Sequence, residues 1–91
     1  MRYVLFYDSA DDLAAKLPAH LVTHRAWMDR FHDRGDLLMI GPFGNPQEEG
    51  SMAVFATREA AEEFAKGDPF VLHGVVKSWR VLDWHQIYGE G

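Results

Sequence analysis

A chain of 91 residues, 47% hydrophobic and 25% charged, has the composition of one soluble globular domain. The net charge of −5 and the lack of any run among its nine Lys and Arg residues argue against nucleic acid as a partner. No apolar run approaches the ~20 residues of a membrane-spanning helix, and no signal-peptide pattern is present, so we expect no membrane attachment and a cytoplasmic location. Without cysteine, disulfides, thiolate catalysis and sulfur-ligated metals are excluded.

The first third of the chain predicts a strand, a loop and a helix. Residues 2–7 (RYVLFY) are aromatic and branched on both alternating faces, which is typical of a strand buried on both sides. Residues 8–17 predict a loop with a short helical turn. Pro18 suits the first turn of a helix, which we expect to run to about Arg34, because Gly35 can then supply the left-handed C-terminal cap.

The middle of the chain predicts a pair of strands. Residues 37–43 (LLMIGPF) form the expected second strand, and residues 51–56 (SMAVFA) form the third. Residues 44–50 (GNPQEEG) between them are polar and rich in turn residues. Because this loop is short enough for a hairpin, the two strands are expected to be antiparallel neighbours.

The last third predicts a second helix and a fourth strand. Thr57 is a suitable N-cap for a helix over residues 58–66 (REAAEEFAK). Gly67 is expected to end this helix, because the proline that follows two residues later cannot continue it. Residues 75–84 (VVKSWRVLDW) have the apolar, aromatic composition of a strand.

The resulting order, βαββαβ, predicts an α+β, ferredoxin-like domain over residues 1–91, with a four-stranded antiparallel sheet and two helices on one face. The uncovered face of this sheet is expected to be apolar. Strand four carries apolar residues on both sides: Val75, Trp79 and Val81 on one, and Val76, Leu82 and Trp84 on the other. A patch of that kind marks an interface, so we expect a homodimer in which two open sheet faces pack together.

A histidine lies in the apolar stripe of the first predicted helix. At 100° per residue, His24 falls inside an arc of roughly 80° that also holds Leu17, Leu21, Met28 and Phe31. A buried imidazole needs a hydrogen-bond partner. Two interpretations stay open: a core histidine bonded to a backbone carbonyl, or a general base whose second nitrogen is oriented by a carboxylate.

Asp68 is the best candidate for that carboxylate. It lies between Gly67 and Pro69, on a rigid turn at the end of an element, where catalytic groups are often held. Asp before Pro is also a common way to open a turn, so a purely structural role stays open. Asp36, the other candidate, lies about three helical turns from His24 along the axis, which is too far.

Metal and cofactor chemistry has weaker support. His20 and His24 have an i, i+4 spacing, and His73 and Asp68 are conceivable further ligands, but no glutamate stands between the two histidines as in zincins. The glycines around residues 41–44 lack a phosphate-binding motif, and no serine lies in a GxSxG context. We therefore predict no metal and no cofactor.

The aromatic residues permit a ligand pocket. Six of them could line an apolar site for a small, aromatic ligand: Tyr3, Tyr7, Trp27, Phe70, Trp79 and Trp84. The same residues could simply fill the core, since aromatic side chains dominate core area.

Taken together, these residues resemble the YciI-like (YCII-related) family over nearly the whole chain. The matching positions are, in chain order, His24, Gly35, Gly41, Pro42, Asp68, Pro69, Phe70 and Gly74. The resemblance implies a ferredoxin-like subunit that dimerises into an α+β barrel, with an active site centred on a histidine and an aspartate, here His24 and Asp68. Relatives of the fold include muconolactone isomerase-like proteins and a dehydrochlorinase. The loop of residues 44–50 is shorter here than in some members of the family.

The sequence therefore favours a cofactor-independent isomerase or lyase that acts on a small cyclic or aromatic molecule. His24, oriented by Asp68, would remove a proton next to a carbonyl or a leaving group. The candidate substrate contacts are Tyr7, Gly41, Pro42, Pro69 and Phe70. Two alternatives keep the same architecture: a non-catalytic ligand-binding or regulatory dimer, and a cofactor-free monooxygenase of the dimeric-barrel kind.

Overall fold

Four strands form one antiparallel sheet. In the computed structural model, which describes residues 1–89, the strands are β1 (Arg2–Ser9), β2 (Leu37–Pro42), β3 (Ser51–Phe55) and β4 (Val76–Trp84). They lie in the order β2-β3-β1-β4. The helices are α1 (Leu13–Lys16), a 3₁₀ turn (Leu17–His20), α2 (Leu21–Asp33), α3 (Pro46–Glu49), α4 (Arg58–Gly67) and α5 (Pro69–Leu72). This arrangement confirms the predicted α+β, ferredoxin-like fold.

The core lies between the sheet and the two longest helices. Phe31 of α2 and Phe64 of α4 are fully buried and meet edge to face, with ring centroids 5.2 Å apart. Leu5 and Phe55 reach them from the sheet. Since burial of one aromatic side chain removes about 150–250 Å² from water, this cluster holds both helices on the sheet. None of the helices within residues 1–89 is long and apolar enough to cross a membrane.

The opposite face of the sheet carries a second apolar surface, as predicted. Its residues alternate with the core residues along β1, β3 and β4: Val4, Phe6, Met52, Val54, Leu82 and Trp84. Leu82 and Trp84 are each 44% exposed. We call these six residues the open sheet face.

The prediction for Val76 was wrong. β1 extends to Ser9 because it keeps pairing with β4, and the register shifts between Asp8 and Ser9. That irregularity changes which side of the sheet Val76 faces, so its side chain joins the core cluster instead of lying beside Leu82. Alternation along a sequence cannot indicate such a shift, because it arises from the pairing of two strands.

Two predicted helix boundaries also differ. α2 begins at Leu21, and Pro18 lies in the preceding 3₁₀ turn. α4 includes Gly67 and has Asp68 as its C-cap. Gly67 is needed for a different reason from the one predicted: a Cβ there would lie 2.5 Å from Cζ2 of Trp27, so the glycine permits the close approach of α2. Thr57 does cap α4 as predicted, accepting a hydrogen bond from the N–H of Ala60 at 3.1 Å.

Candidate active site

Asp68 connects the end of α4 to the start of α5, and its side chain is completely buried. Its backbone N–H donates to the carbonyl of Phe64 at 2.9 Å, which closes α4. Its Oδ1 accepts from the N–H of Phe70 at 2.9 Å, which caps the first turn of α5 behind Pro69. These bonds confirm a turn-forming role for Asp68 and fix the position of its carboxylate.

The same carboxylate binds His24 from across the core. Nδ1 of His24 lies 2.7 Å from Oδ1 of Asp68, and the Tyr7 hydroxyl donates to Oδ2 at 2.7 Å. With the N–H of Phe70, three donors surround one carboxylate, which offsets the cost of burying its charge. The pairing predicted for His24 and Asp68 is therefore present as a contact, alongside the turn.

Tyr7 is held as a neutral donor. Burial raises the pKa of its hydroxyl well above the ordinary value, and the adjacent Asp68 carboxylate raises it further. Since a neutral phenol can donate to a carboxylate, the hydroxyl stays committed to Asp68. The sequence suggested Tyr7 as a substrate contact. Tyr7 does border the cavity described below, but its hydroxyl is bonded to Asp68.

Two aromatic rings, those of Phe70 and Phe64, also hold the His24 ring in place. It is 9% exposed and stacks face to face on Phe70, with ring centroids 3.7 Å apart and planes 6° apart. The rings of His24 and Phe64 meet edge to face, with their centroids 6.4 Å apart. An ionised carboxylate only accepts, so the contact with Asp68 requires the proton on Nδ1. Nε2 has no hydrogen-bond partner within the described residues 1–89.

His24 forms part of the wall of a cavity of about 670 Å³. This volume lies within the ~300–1,000 Å³ typical of small-molecule sites. Most of the wall is apolar and comes from α1, the 3₁₀ turn, α2 and β2: Leu13, Leu17, Leu21, Met28, Leu37 and Ile40. A ligand in this cavity would meet a mainly hydrophobic surface that includes His24.

The other residues suggested by sequence are divided between the cavity and the scaffold. Gly41, Pro42 and Phe70 border the cavity with Tyr7. Pro69 does not border the cavity; it forms the first position of α5. The other four aromatic residues that the sequence suggests for a pocket do not border this cavity: Tyr3, Trp27, Trp79 and Trp84.

The histidines suggested as metal ligands do not converge. His20 and His73 stack on each other with centroids 4.3 Å apart, whereas His24 is bound to Asp68. No group of three or more metal-ligating side chains occurs within residues 1–89. His24 and Asp68 therefore form a hydrogen-bonded pair.

Sequence reasoning missed three polar residues that border the cavity along α2. Arg25, Asp29 and His32 follow one another at about one-turn spacing, beside the stripe that holds His24. That spacing is visible in the sequence. The spacing points to a cavity only once β2 is known to lie opposite the same side of α2, where it forms the other wall of the cavity.

A small α+β domain with a buried histidine–carboxylate pair beside an apolar cavity is typical of the class of proteins that bind small molecules. The sequence profile of the YCII-related domain matches residues 1–85. Protein YciI from Escherichia coli O6:H1 and protein YciI from Shigella flexneri are each 33% identical, over 97% of this chain and 100% of the relative. The chain therefore belongs to the YCII-related family.

A solved structure shares the fold at lower identity. It is 5-chloro-2-hydroxyhydroquinone dehydrochlorinase from Burkholderia phenoliruptrix AC1100, in complex with 2,5-dihydroxybenzoquinone. The TM-score is 0.70 at 17% sequence identity, and the match covers 93% of this chain and 94% of the other. The likeness extends over nearly the whole chain and concerns the fold.

Proposed function

We propose that this protein is a cofactor-independent enzyme that abstracts a proton from a small cyclic or aromatic molecule and so catalyses an isomerisation or an elimination. The contact between His24 Nδ1 and Asp68 Oδ1, 2.7 Å long and at the wall of an apolar cavity, carries this proposal. It supplies a base with a defined tautomer in a site that can hold an organic ring.

The chemistry follows from the protonation of the imidazole. With the proton held on Nδ1 by Asp68, Nε2 keeps its lone pair and can accept a proton from a carbon next to a carbonyl. The imidazolium that forms lies against the carboxylate of Asp68, which offsets its charge. In an isomerisation, Nε2 returns the proton to another carbon. In an elimination, the electron pair of the broken C–H bond forms a double bond and expels an anion such as chloride.

Phe70 contributes by holding the base in place. Its ring covers one face of His24, so the imidazole cannot turn without losing the stacking contact and the bond to Asp68. A base that is already oriented spends no free energy on ordering when the substrate arrives. The N–H of Phe70 bonds the same carboxylate, which couples the position of the ring to that of Asp68.

The structural relative suggests a first substrate to test. That protein is named for dehydrochlorination of 5-chloro-2-hydroxyhydroquinone, an elimination from a small ring. The elimination described above is of the same type. We therefore take that compound as the first probe and add a panel of cyclic ketones and lactones for isomerisation.

His24→Ala and Asp68→Asn are each expected to lower turnover by about 10²–10⁴-fold, because one removes the base and the other its orienting carboxylate. Chloride release measures elimination. Uptake of deuterium from D₂O, followed by mass spectrometry, measures proton abstraction on the panel. His85→Ala is the matched control, since His85 is exposed and does not border the cavity.

Circular dichroism and a thermal melt of each variant separate loss of chemistry from loss of fold. If both variants keep full activity on a compound that the wild-type protein converts, the assignment of the base is wrong. If the wild-type protein binds members of the panel but exchanges no proton with any of them, the cavity belongs to a non-catalytic binding module.

The open sheet face supports a further proposal, that two copies pack through it as a homodimer. Leu82 lies on this face, so Leu82→Glu would place a charge in the interface and is expected to yield monomers. Sedimentation equilibrium measures the change. Val22→Glu is the control, because Val22 is 83% exposed on α2, away from the sheet. Dissociation by both variants, or by neither, would argue against this interface.

A further inference from the structure

The polar side chains of the cavity are mostly engaged within the protein. The Tyr7 hydroxyl donates to Asp68, and the Ser9 hydroxyl donates to the carbonyl of Pro46 at 2.6 Å. Nδ1 of His24 is bound to Asp68 as well. A ligand with a negative charge would therefore need a partner elsewhere on the wall.

Arg25 is the only lysine or arginine that borders the cavity among residues 1–89. It directly follows His24 in α2, and its side chain is 75% exposed. Its Nε lies 3.5 Å from Oδ1 of Asp29, whose side chain is 63% exposed. A solvent-exposed ion pair of this kind contributes little free energy, so the guanidinium can turn from Asp29 to a ligand at small cost.

Arg30, on the same helix, packs against another side chain of the protein. Its guanidinium lies 5.2 Å from the centre of the Trp27 ring, and Arg30 does not border the cavity. The two arginines therefore differ in surroundings while sharing α2. This difference makes Arg30 a matched control for Arg25.

A cation near the reacting group would accelerate proton abstraction. When a proton leaves a carbon next to a carbonyl, negative charge develops on the oxygen, and the reaction is accelerated by a group that stabilises that charge. A guanidinium is planar and always charged, and it can bind a carboxylate or an enolate through two parallel N–H donors. His24 removes the proton in the proposed reaction, so the oxygen needs a second residue.

We propose that Arg25 is the anion-binding residue of this cavity, and that the substrate is an apolar ring bearing a carboxylate or an acidic enol or phenol oxygen. The ring lies against the apolar wall, and the charged oxygen meets Arg25 at the α2 side. The catalytic part of this inference rests on the proposed function. The preference for an anionic ligand does not, because it concerns binding alone.

Benzoate and benzamide test the preference, because they share a shape and differ in charge. The full chain is titrated with each by isothermal titration calorimetry or by NMR. The wild-type protein is expected to bind benzoate more tightly than benzamide. Arg25→Gln should weaken benzoate binding by about tenfold and leave benzamide binding unchanged, since only the charged contact is lost.

Two further variants test the role of the neighbouring side chains. Asp29→Asn should tighten benzoate binding several-fold, because it removes the carboxylate that competes for Arg25. Arg30→Gln should leave both affinities unchanged. Equal losses in Arg25→Gln and Arg30→Gln would reduce the effect to net charge and overturn the proposal, as would a wild-type protein that does not distinguish the two probes.

The outcome is independent of the test for catalysis. If benzoate selectivity depends on Arg25 but His24→Ala changes no turnover, the anion site stands and the proposed base fails. If His24→Ala abolishes turnover but Arg25→Gln leaves both binding and turnover intact, the base stands and the anion site fails.

Discussion

Asp68→Ala is expected to lower the free energy of unfolding by about 3–5 kcal/mol, measured by urea denaturation. The side chain is completely buried and is the shared acceptor for the Tyr7 hydroxyl, the Phe70 N–H and Nδ1 of His24. Alanine would leave all three polar groups in the core without a partner, and each such group costs about 1–3 kcal/mol. The variant also removes the cap of α5.

A partly exposed aspartate provides the comparison. Asp36 forms an ion pair with Arg34 at 2.7 Å, and its side chain is 28% exposed, so Asp36→Ala is expected to cost less than about 1 kcal/mol. Asp68→Asn keeps the shape of the side chain and one acceptor oxygen, so its cost should fall between the two. A loss in Asp68→Ala no larger than in Asp36→Ala would show that the buried donors find other partners.

This expected cost explains why Asp68 can serve as a fixed partner for His24. The carboxylate is held by the backbone of α5 and by Tyr7, independently of its contact with His24. The imidazole therefore meets an acceptor whose position is set by two other hydrogen bonds. In the proposed reaction, stability and orientation come from the same bonds, so a variant that loosens the turn at Asp68 should affect both.

The sequence predicts the order of the four strands and the two main helices, and it makes Asp68 the best candidate partner of His24. Helical periodicity placed His24 among apolar residues, and a buried imidazole requires a partner. Asp68 followed from its turn context, between a glycine and a proline. A structural role in the turn and a partnership with His24 are alternative interpretations of the sequence, yet the structure shows both contacts, because one carboxylate has enough lone pairs for several donors.

The hydrogen bond from Tyr7 to Asp68 could not be predicted in the same way. The two residues are 61 positions apart, and their contact depends on how α4 lies across β1. Strand alternation assigns Tyr7 to a face, but it does not say which atom of another element lies opposite. The register shift that moves Val76 into the core is of the same kind, since it arises only when β1 and β4 pair.

The glycines show a related limit. Local rules treat a glycine as a turn or a helix stop, and Gly35, with φ of 81°, fits that rule as the cap after α2. Gly50 combines a positive φ with a second requirement, which Gly67 shares: the close approach of another part of the chain. That requirement depends on three-dimensional packing and leaves no mark in the surrounding sequence.

Gly50→Ala is expected to destabilise the protein by about 3–5 kcal/mol, through two effects that add. The residue has φ of 76° and ψ of −146°, a conformation that side chains rarely adopt. A Cβ there would also overlap the backbone carbonyl oxygen of Tyr7, which belongs to a central strand and cannot shift as a flexible side chain could. The damage would reach the site, because it displaces the strand that carries the Tyr7 hydroxyl to Asp68.

Gly44→Ala in the same loop separates this overlap from the general effect of stiffening the chain. A Cβ at Gly44 would meet only Oε1 of Glu49, at an ordinary 3.9 Å, and φ at Gly44 is not positive. Its stability should therefore change by less than about 1 kcal/mol. Urea denaturation compares the two variants directly. A large loss of stability confined to Gly50→Ala is expected, because the carbonyl of Tyr7 cannot move without breaking the pairing of β1 with β3. Similar denaturation midpoints for the two variants would mean instead that the loop moves to accommodate the added methyl group.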